Sequence, residues 1–327
     1  MSLRLSSWLL SGLLAFSCVS AAQAQAPWPS AKPITLIVPF TAGGSTDGIA
    51  RLVGQKLSER LGQSVIIENA AGGGGTIGIA KAVLAAPDGY TLVLGVDSPI
   101  AITKLINPAA VKYDALKDLA PIGLINTAPM VLMARPDLPA NTFTELLALA
   151  RAEPGKLTYA TSGIGTVLHL TMETIMHQAN IDLLHVPYRG GAQVITDLMG
   201  GQIDLAMLVS GSAIPAVLSK KVKGIVMTDD QRLPSLPDVP ALAETPEFKG
   251  FKMISWSALF APAGTPQDIV TRLNQELNQV LQASDVQAQL ATQGALPGSG
   301  SAQDFAEFVK NEQARYERIV KTANIKE

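Results

Sequence analysis

Short apolar runs alternate with longer amphipathic runs along the first hundred residues. The stretch ITLIVPF (34–40) is apolar and is bounded by Pro33 and Gly43, which is typical of a buried strand. The stretch 46–62 that follows has apolar residues at helical spacing and ends in Gly62, where a helix C-cap is expected. The same pattern then predicts strands at 64–69 and 90–96 and a helix at 76–86.

The alternation continues to residue 228. Thr142 and Glu145 have the spacing of a capping box and begin a predicted helix that runs to Ala152. Strands that alternate with helices of this length predict βαβ units, and therefore an α/β fold with mostly parallel sheets. The remaining predicted strands are 157–163, 183–188, 203–209 and 222–228, and the remaining helices are 166–179, 192–201 and 213–221.

The C-terminal part of the chain is mainly helical. An apolar stretch beginning at Ser255 leads into a long helix, with Thr265 as the predicted N-cap and Pro266 in the first turn. Ser301 and Asp304 begin a last helix. Because no new strand–helix series follows, we expect these helices to pack back on the N-terminal part of the chain.

Composition supports a large, ordinary core. The chain has 327 residues, of which 47% are hydrophobic and 16% are charged, and this length favours two domains. The formal net charge of −2 and the absence of a basic block argue against a nucleic-acid partner.

The N-terminus has the features of a secretory signal peptide at 1–24. Arg4 supplies the positive end, and the apolar stretch 8–19 is too short to cross a bilayer. Small residues at alternate positions predict cleavage near Ala24 or Ala26, and so predict export. The single cysteine lies inside this segment, so the mature chain needs no disulfide.

A glycine-rich stretch raises the possibility of a nucleotide site. Gly73, Gly75 and Gly78 fit the pattern G-x-G-x-x-G, and Asp97 follows about twenty residues later, as in a dinucleotide-binding loop. Residues 69–72, however, separate the strand from the first of these glycines. The two alternatives are an exported NAD-dependent oxidoreductase and a glycine turn that needs positive φ.

Other catalytic patterns are missing from the sequence. Its Gly-Lys pair at 155–156 is followed by Leu157, which excludes a P-loop, and no G-x-S-x-G occurs. His169, His177 and His185 are predicted to be structural or surface residues, and no cluster has the ligand spacing of a metal site. We therefore expect no enzymatic activity, no cofactor and no metal.

Two stretches share a design that suits an anion. In 37–52 and in 159–172 a strand is followed by Gly, Ser and Thr residues and then by a helix. The unpaired N–H groups at a helix N-terminus hold a carboxylate or phosphate without a cationic side chain. Asp47 lies in the first of these helical turns, and we expect it to pair with Arg51 rather than to meet a ligand ammonium. Hydroxyl groups available beside the two helices are those of Thr41, Ser45, Ser162 and Thr166.

Several motifs together resemble the Bug family, the periplasmic solute receptors of tripartite tricarboxylate transporters. They include PITLIVPFTAGGSTDGIAR, VIIENAAGGGGTIG, APDGYTLVLG, HVPYRGGAQVITDLMGGQIDL and ALFAPAGTPQDIVTRLN, and the resemblance covers about residues 32–320. It implies a two-domain periplasmic-binding-protein fold of type II, with a ligand cleft between the domains. It also implies a periplasmic, monomeric receptor that closes around a small carboxylated solute and serves the membrane subunits of a transporter.

The resemblance also implies domain boundaries and site residues. Domain 1 would comprise 27–125 plus 255–327 and domain 2 would comprise 126–254, joined by crossover strands near 121–134 and 251–261. Ligand contacts in the first domain would be Thr41, Ala42, Gly43, Gly44, Ser45, Gly74, Gly75 and Ser98. Those in the second would be Ser162, Gly163, Gly165 and Thr166, with Asp204 and Ser210 as pocket formers.

The sequence departs from the family pattern in three places. Thr41-Ala42 stand where a proline and its neighbour are common, and Val167-Leu168 stand where polar residues are common. Met207, Leu208 and Val209 replace an aromatic or polar wall. These changes predict a less polar side to the pocket, and they leave the identity of the solute open. A sensor that signals to a membrane partner remains an alternative to a transport receptor.

Overall fold

The computed structural model describes residues 27–323 and residue 325, so the predicted signal peptide at 1–24 lies outside the described residues. Strands and helices alternate in the first part of the described chain, as the sequence pattern predicts. A single π-helical turn at Ser98–Ile102 follows the third strand. The elements are β1 (Ile34–Val38), α1 (Ser45–Leu61), β2 (Val65–Asn69), α2 (Thr76–Val83), β3 (Thr91–Val96), α3 (Thr103–Ile106), α4 (Ala115–Asp118) and β4 (Leu119–Ala134).

The second part of the chain continues the alternation and ends in helices. Its elements are α5 (Phe143–Ala152), β5 (Thr158–Thr161), α6 (Val167–Ala179), β6 (Leu184–Pro187), α7 (Gly191–Met199), β7 (Leu205–Val209), α8 (Ser210–Leu218) and β8 (Lys223–Met227). They are followed by β9 (Ile254–Pro262), α9 (Gln267–Gln282), α10 (Ser284–Thr292), β10 (Leu296–Pro297) and α11 (Ala302–Thr322). Among the described residues, none of the helices combines the length and the apolar character needed to span a bilayer.

The strands form one mixed sheet in the order β2-β1-β3-β9-β4-β7-β5-β6, with β8 and β10 also paired to β4. Pairing is parallel among β1, β2 and β3, which we call the first strand group, and among β5, β6 and β7, the second strand group. The predicted α/β class is therefore confirmed. The long strands add antiparallel pairs: β9 pairs with β3 and β4, and β4 also pairs with β7.

Strand β4 connects the two groups. Its residues 119–129 pair with β9, whereas residues 130–134 pair with β7. Strands are thus present where the sequence predicted the crossovers. The division of the chain into two domains at these strands stays a prediction.

The buried side chains of β1 show why both faces of the sheet are covered by helices. Leu36 and Val38 belong to a core cluster that includes Val53 of α1 and Leu273 of α9. Ile37 belongs to the other cluster, together with Ile79 of α2. Successive side chains of a strand point to opposite faces, so a continuous apolar run indicates a strand buried on both sides.

The predicted caps are present at the end of α1 and the start of α5 but not at the start of α9. Gly62 is left-handed at φ 65°, and Thr142 and Glu145 form the predicted capping box of α5. The prediction that Thr265 caps α9 is wrong, because its hydroxyl donates to the Pro262 carbonyl and Pro266 occupies the N-cap. Pro266 is itself extended, at φ −52° and ψ 138°, so the helix begins at the next residue, Gln267.

Candidate functional site

A cavity of about 50 Å³ lies between the two strand groups. It is at the carboxyl ends of the parallel strands, where open α/β sheets commonly bind ligands. A volume of this size holds several water molecules. The lining residues are Phe40, Thr41, Gly44, Ser45, Thr46, Val96, Asp97, Ser98, Ser162, Val167, Leu168, Gly191, Leu208, Val209, Ser212 and Ser255.

Five residues of the predicted ligand set line this cavity: Thr41, Gly44, Ser45, Ser98 and Ser162. Val167, Leu168 and Leu208 also line it, in agreement with the predicted apolar side. The other predicted residues lie beside the cavity or outside it. Both apolar and hydroxyl side chains therefore line the cavity.

The loop before α1 is held by Asp47, whose carboxylate accepts hydrogen bonds from Gly43 N–H, Arg51 and the Asn69 amide at 2.9–3.0 Å. Burial opposes ionisation of Asp47, but these bonds outweigh it and lower the pKa of the carboxyl. The structural role predicted for Asp47 is thus confirmed. Ala42 and Gly43 are exposed at the rim of the loop.

Two helix N-termini, one from each side, reach the cavity. The Ser45 N–H of α1 donates to the Ser212 hydroxyl at 3.1 Å, and the Val167 N–H of α6 donates to the Ser98 hydroxyl at 3.0 Å. Thr166 caps α6 by accepting from the third residue of the helix. The next N–H groups, those of Thr46 and Leu168, have no hydrogen-bond partner within the described chain, and both residues line the cavity.

Asp97 is the one charged residue among the described residues that line this cavity. Its Oδ1 accepts from Ser98 N–H and Oγ at 2.6 and 2.7 Å, and its Oδ2 accepts from Ser255 Oγ at 2.7 Å and Trp256 N–H at 2.9 Å. Burial raises the pKa of Asp97, and the bonds from Ser255, Ser98 and Trp256 counteract that effect only in part.

The glycine turn after β2 contacts the second side of the cleft. Gly74 has φ 62°, and a Cβ added there would lie 2.8 Å from the Ile164 carbonyl oxygen. Gly163 has φ +138°, and its added Cβ would lie 3.3 Å from the Gly74 Cα. The Thr103 hydroxyl donates to the Gly165 carbonyl at 3.1 Å. The turn therefore packs against the protein itself. Of the two alternatives for this motif, the structure favours the glycine turn with positive φ over the dinucleotide-binding loop.

The loop that carries Ser162 rests on an aromatic stack. His185 stacks between Tyr159 and His169, with ring centroids 4.7 and 4.4 Å apart. Its Nε2 lies 2.8 Å from the Thr161 hydroxyl, and the Gly165 N–H donates to His169 Nδ1. Burial, followed by the charge of His169, lowers the pKa of His185 to about 4. The structural role predicted for these two histidines is confirmed.

Two predicted pocket formers are placed differently. Asp204 precedes β7 and lies at the opposite end of that strand from the cavity, where it accepts from Arg135 and Thr158. The interpretation of Asp204 as a pocket former is therefore corrected. Ser210 is fully buried, and its hydroxyl donates to the Gln293 carbonyl at 2.7 Å instead of facing the cavity.

Sequence reasoning missed several of the lining residues. Gly191 and Ser212 lie in the first turns of α7 and α8, and α8 begins three residues earlier than the predicted 213. The small residues GG and SGS at these starts were the available signal. Ser255 alternates with Ser257 in the apolar strand β9, a period-two pattern that marks one face of the strand. Asp97 was considered solely as a ribose ligand.

A smaller cavity of about 30 Å³ adjoins the first and shares Ser45, Thr46 and Ser255 with it. Asn126 and Ser257, which are hydrogen-bonded to each other, line its far side. Among the described residues, no group of three His, Cys, Asp or Glu side chains could hold a metal ion.

Sequence comparison identifies the family of this cleft protein. A profile described as the tripartite tricarboxylate transporter family receptor, TctC, matches residues 49–325. The chain belongs to this receptor family. Its members are solute-binding receptors and not enzymes, and the resemblance to Bug proteins is confirmed by BugT of Bordetella pertussis, which is 32% identical over 94% of each chain.

Other relatives and solved structures agree with this assignment. A UPF0065 protein from the tcbD-tcbE intergenic region of Pseudomonas sp. strain P51 is 36% identical over 95% of this chain and 93% of its own. Rpa4515 of R. palustris, solved with adipate, superposes with a TM-score of 0.88 at 34% identity, over 91% and 99% of the two chains. MatC of Rhodopseudomonas palustris, solved with malate, superposes with a TM-score of 0.85 at 33% identity, over 89% of this chain and 99% of its own. These structures confirm the predicted periplasmic-binding-protein fold of this receptor.

Proposed function

We propose that this receptor captures a small carboxylated solute in the cavity between the two strand groups. The observation that carries the proposal is that Thr46 and Leu168 line the same cavity, one from each side, and that their N–H groups at the helix N-termini have no partner within the described chain. A helix N-terminus stabilises an anion by about 0.3–1 kcal/mol when exposed and by up to about 2 kcal/mol when partly buried. Rpa4515 and MatC, solved with adipate and malate, support a carboxylate as the ligand.

Binding would proceed by hinge closure about the long strands β4 and β9. A ligand that contacts both sides favours the closed form, because it interacts more strongly with that form than with the open one. The proposed contacts are Thr41, Gly44, Ser45, Thr46 and Ser98 from one side, and Ser162 and Leu168 from the other. The receptor would be an exported monomer that delivers the solute to the membrane subunits of a tripartite transporter.

A thermal-shift screen tests the carboxylate proposal. Each acid is paired with its uncharged amide, which preserves shape and removes the charge. We expect several acids to raise the melting temperature and their amides to leave it unchanged, since a ligand that binds the native state stabilises it. Stabilisation by amides or neutral sugars alone would contradict the anion site.

Uptake measurements test the transport step. Deleting the gene should abolish uptake of the acid identified by the screen, and a copy that lacks residues 1–24 should not restore it. Normal uptake in the deletion strain would remove transport from the proposal and leave binding intact.

A further inference from the structure

We infer that Asp97 determines the charge of the solute, restricting it to a single carboxylate with a neighbouring hydrogen-bond donor. The inference rests on the proposed function and names the ligand class for the same cavity. It predicts hydroxy or amino monocarboxylic acids as ligands, and it predicts that a second carboxylate near Asp97 weakens binding.

The hydrogen bonds of Asp97 determine the direction of two hydroxyls. Two backbone donors, the N–H groups of Ser98 and Trp256, point at its two oxygens. The remaining contacts are the hydroxyls of Ser98 and Ser255. Burial opposes the charge of Asp97, but four donors around its two oxygens favour the carboxylate over the neutral acid. A carboxylate only accepts hydrogen bonds, so it takes the protons of both hydroxyls. A serine hydroxyl has one proton and two lone pairs. Each hydroxyl is therefore left with lone pairs for its other neighbours.

The consequence differs for the two serines. Ser98 uses a lone pair to accept from the Val167 N–H. Ser255 lines both cavities, and its contact with Asp97 is the one hydrogen bond that its hydroxyl makes within the described chain. Ser255 thus presents an acceptor, without a proton, to the cavity. A ligand hydroxyl or ammonium satisfies this acceptor, whereas a carboxylate oxygen does not.

Asp97 also repels a second anion directly. It is 1% exposed, and none of the described residues that line the cavity is a lysine or arginine that could compensate its charge. A like charge within about 4–6 Å shifts the pKa of a carboxyl group by about one unit or more. The same energy would weaken the binding of an anion by about tenfold. The open N–H groups of Thr46 and Leu168 stabilise one carboxylate, and Asp97 selects against another.

Calorimetric titration with matched acids tests the inference. The four-carbon set is butanoate, 2-hydroxybutanoate, 2-aminobutanoate and succinate, and a six-carbon set of hexanoate, its 2-hydroxy and 2-amino derivatives and adipate controls for length. We expect a hydroxy or amino acid to bind about tenfold or more tightly than both the plain acid and the diacid of the same length. A diacid that binds most tightly in both sets would overturn the inference while supporting the carboxylate proposal.

Variants separate the acceptor from the charge. Ser255→Ala should remove the advantage of the hydroxy or amino acid over the plain acid, while Ser257→Ala, which alters the same strand beyond the first cavity, should preserve it. Asp97→Asn should reduce the difference in affinity between the monoacid and the diacid. Asp204→Asn makes the same change of charge outside the cavity and should leave that difference unchanged. Because Asp97→Asn places an amide next to two N–H donors and can impair folding, Ser255→Ala is the deciding variant. An unchanged preference in Ser255→Ala refutes the inference, and failure of every acid to bind refutes the proposed function as well.

Discussion

Gly74 offers a direct test of whether the glycine turn controls closure. In the structure an alanine Cβ at this position would lie 2.8 Å from the Ile164 carbonyl oxygen and 3.5 Å from Thr166 Cγ2, both on the opposite side of the cleft. We predict that Gly74→Ala weakens solute binding because the closed form cannot accept the added methyl without a shift of backbone.

Gly62→Ala is a matched control for the backbone cost. Gly74 has φ 62° and ψ 22°, and Gly62 has φ 65° and ψ 23°, so an alanine is equally strained at both sites. That shared cost is about 1–2 kcal/mol of folding free energy. A Cβ at Gly62 has no atom within 4 Å, whereas the one at Gly74 meets a carbonyl oxygen.

The difference between the two variants isolates the contact across the cleft. Overpacking costs about 1–3 kcal/mol, which would weaken binding about 5- to 150-fold if the whole cost falls on the closed form. The assay is calorimetric titration with the acid that gives the largest thermal shift, together with the melting temperature of each variant. Both variants should melt at a lower temperature than the parent, but Gly74→Ala alone should bind the acid less tightly. Equal affinities in the two variants would refute a role of the turn in closure.

Two further predictions concern stability. The pKa of His185 is lowered to about 4 from an ordinary 6.5, so the folded state favours the neutral ring. Its contribution to stability is therefore fully present above about pH 6.5 and is lost as the pH falls toward 4. In urea unfolding, His185→Gln should lose less free energy of unfolding over that pH range than the parent. Thr142→Ala removes the side-chain cap of α5, far from the cavity, and should lower the free energy of unfolding by about 0.5–2 kcal/mol while leaving the affinity for the acid unchanged. A steeper pH dependence in the first variant, or weaker binding in the second, would contradict these assignments.

The fold could be predicted from local patterns because the chain follows the rules of α/β proteins closely. The apolar run 34–40 contains a strand buried on both faces, and Gly62 ends a helix with the expected left-handed residue. The error at Thr265 is also local, since Pro266 is extended and takes the N-cap position in its place. Pairing of β4 with both strand groups depends on contacts distant in sequence, which periodicity does not reveal.

The site was predictable where a residue follows a strand. Thr41, Ser98 and Ser162 come after β1, β3 and β5, and all three line the cavity. Asp204 precedes its strand, so it lies at the amino edge of the sheet and could have been excluded on the same rule. The orientation of the Ser255 hydroxyl was beyond sequence reasoning, because it depends on a bond to a residue 158 positions away.

Ser98 connects the elements on which the proposed closure and charge selection would depend. Its hydroxyl donates to Asp97, which accepts the Trp256 N–H of β9, and it accepts the Val167 N–H of α6. These hydrogen bonds therefore connect β9 with α6, the helix that follows β5 of the second strand group. Because the Ser98 hydroxyl donates to Asp97, it accepts from the first N–H of α6, that of Val167. The next N–H, that of Leu168, has no partner within the described chain and is the one that we propose for the solute. In the proposed binding mode, affinity for one carboxylate and discrimination against a second would have separate sources in the cleft: backbone amides for the first and a buried acid for the second.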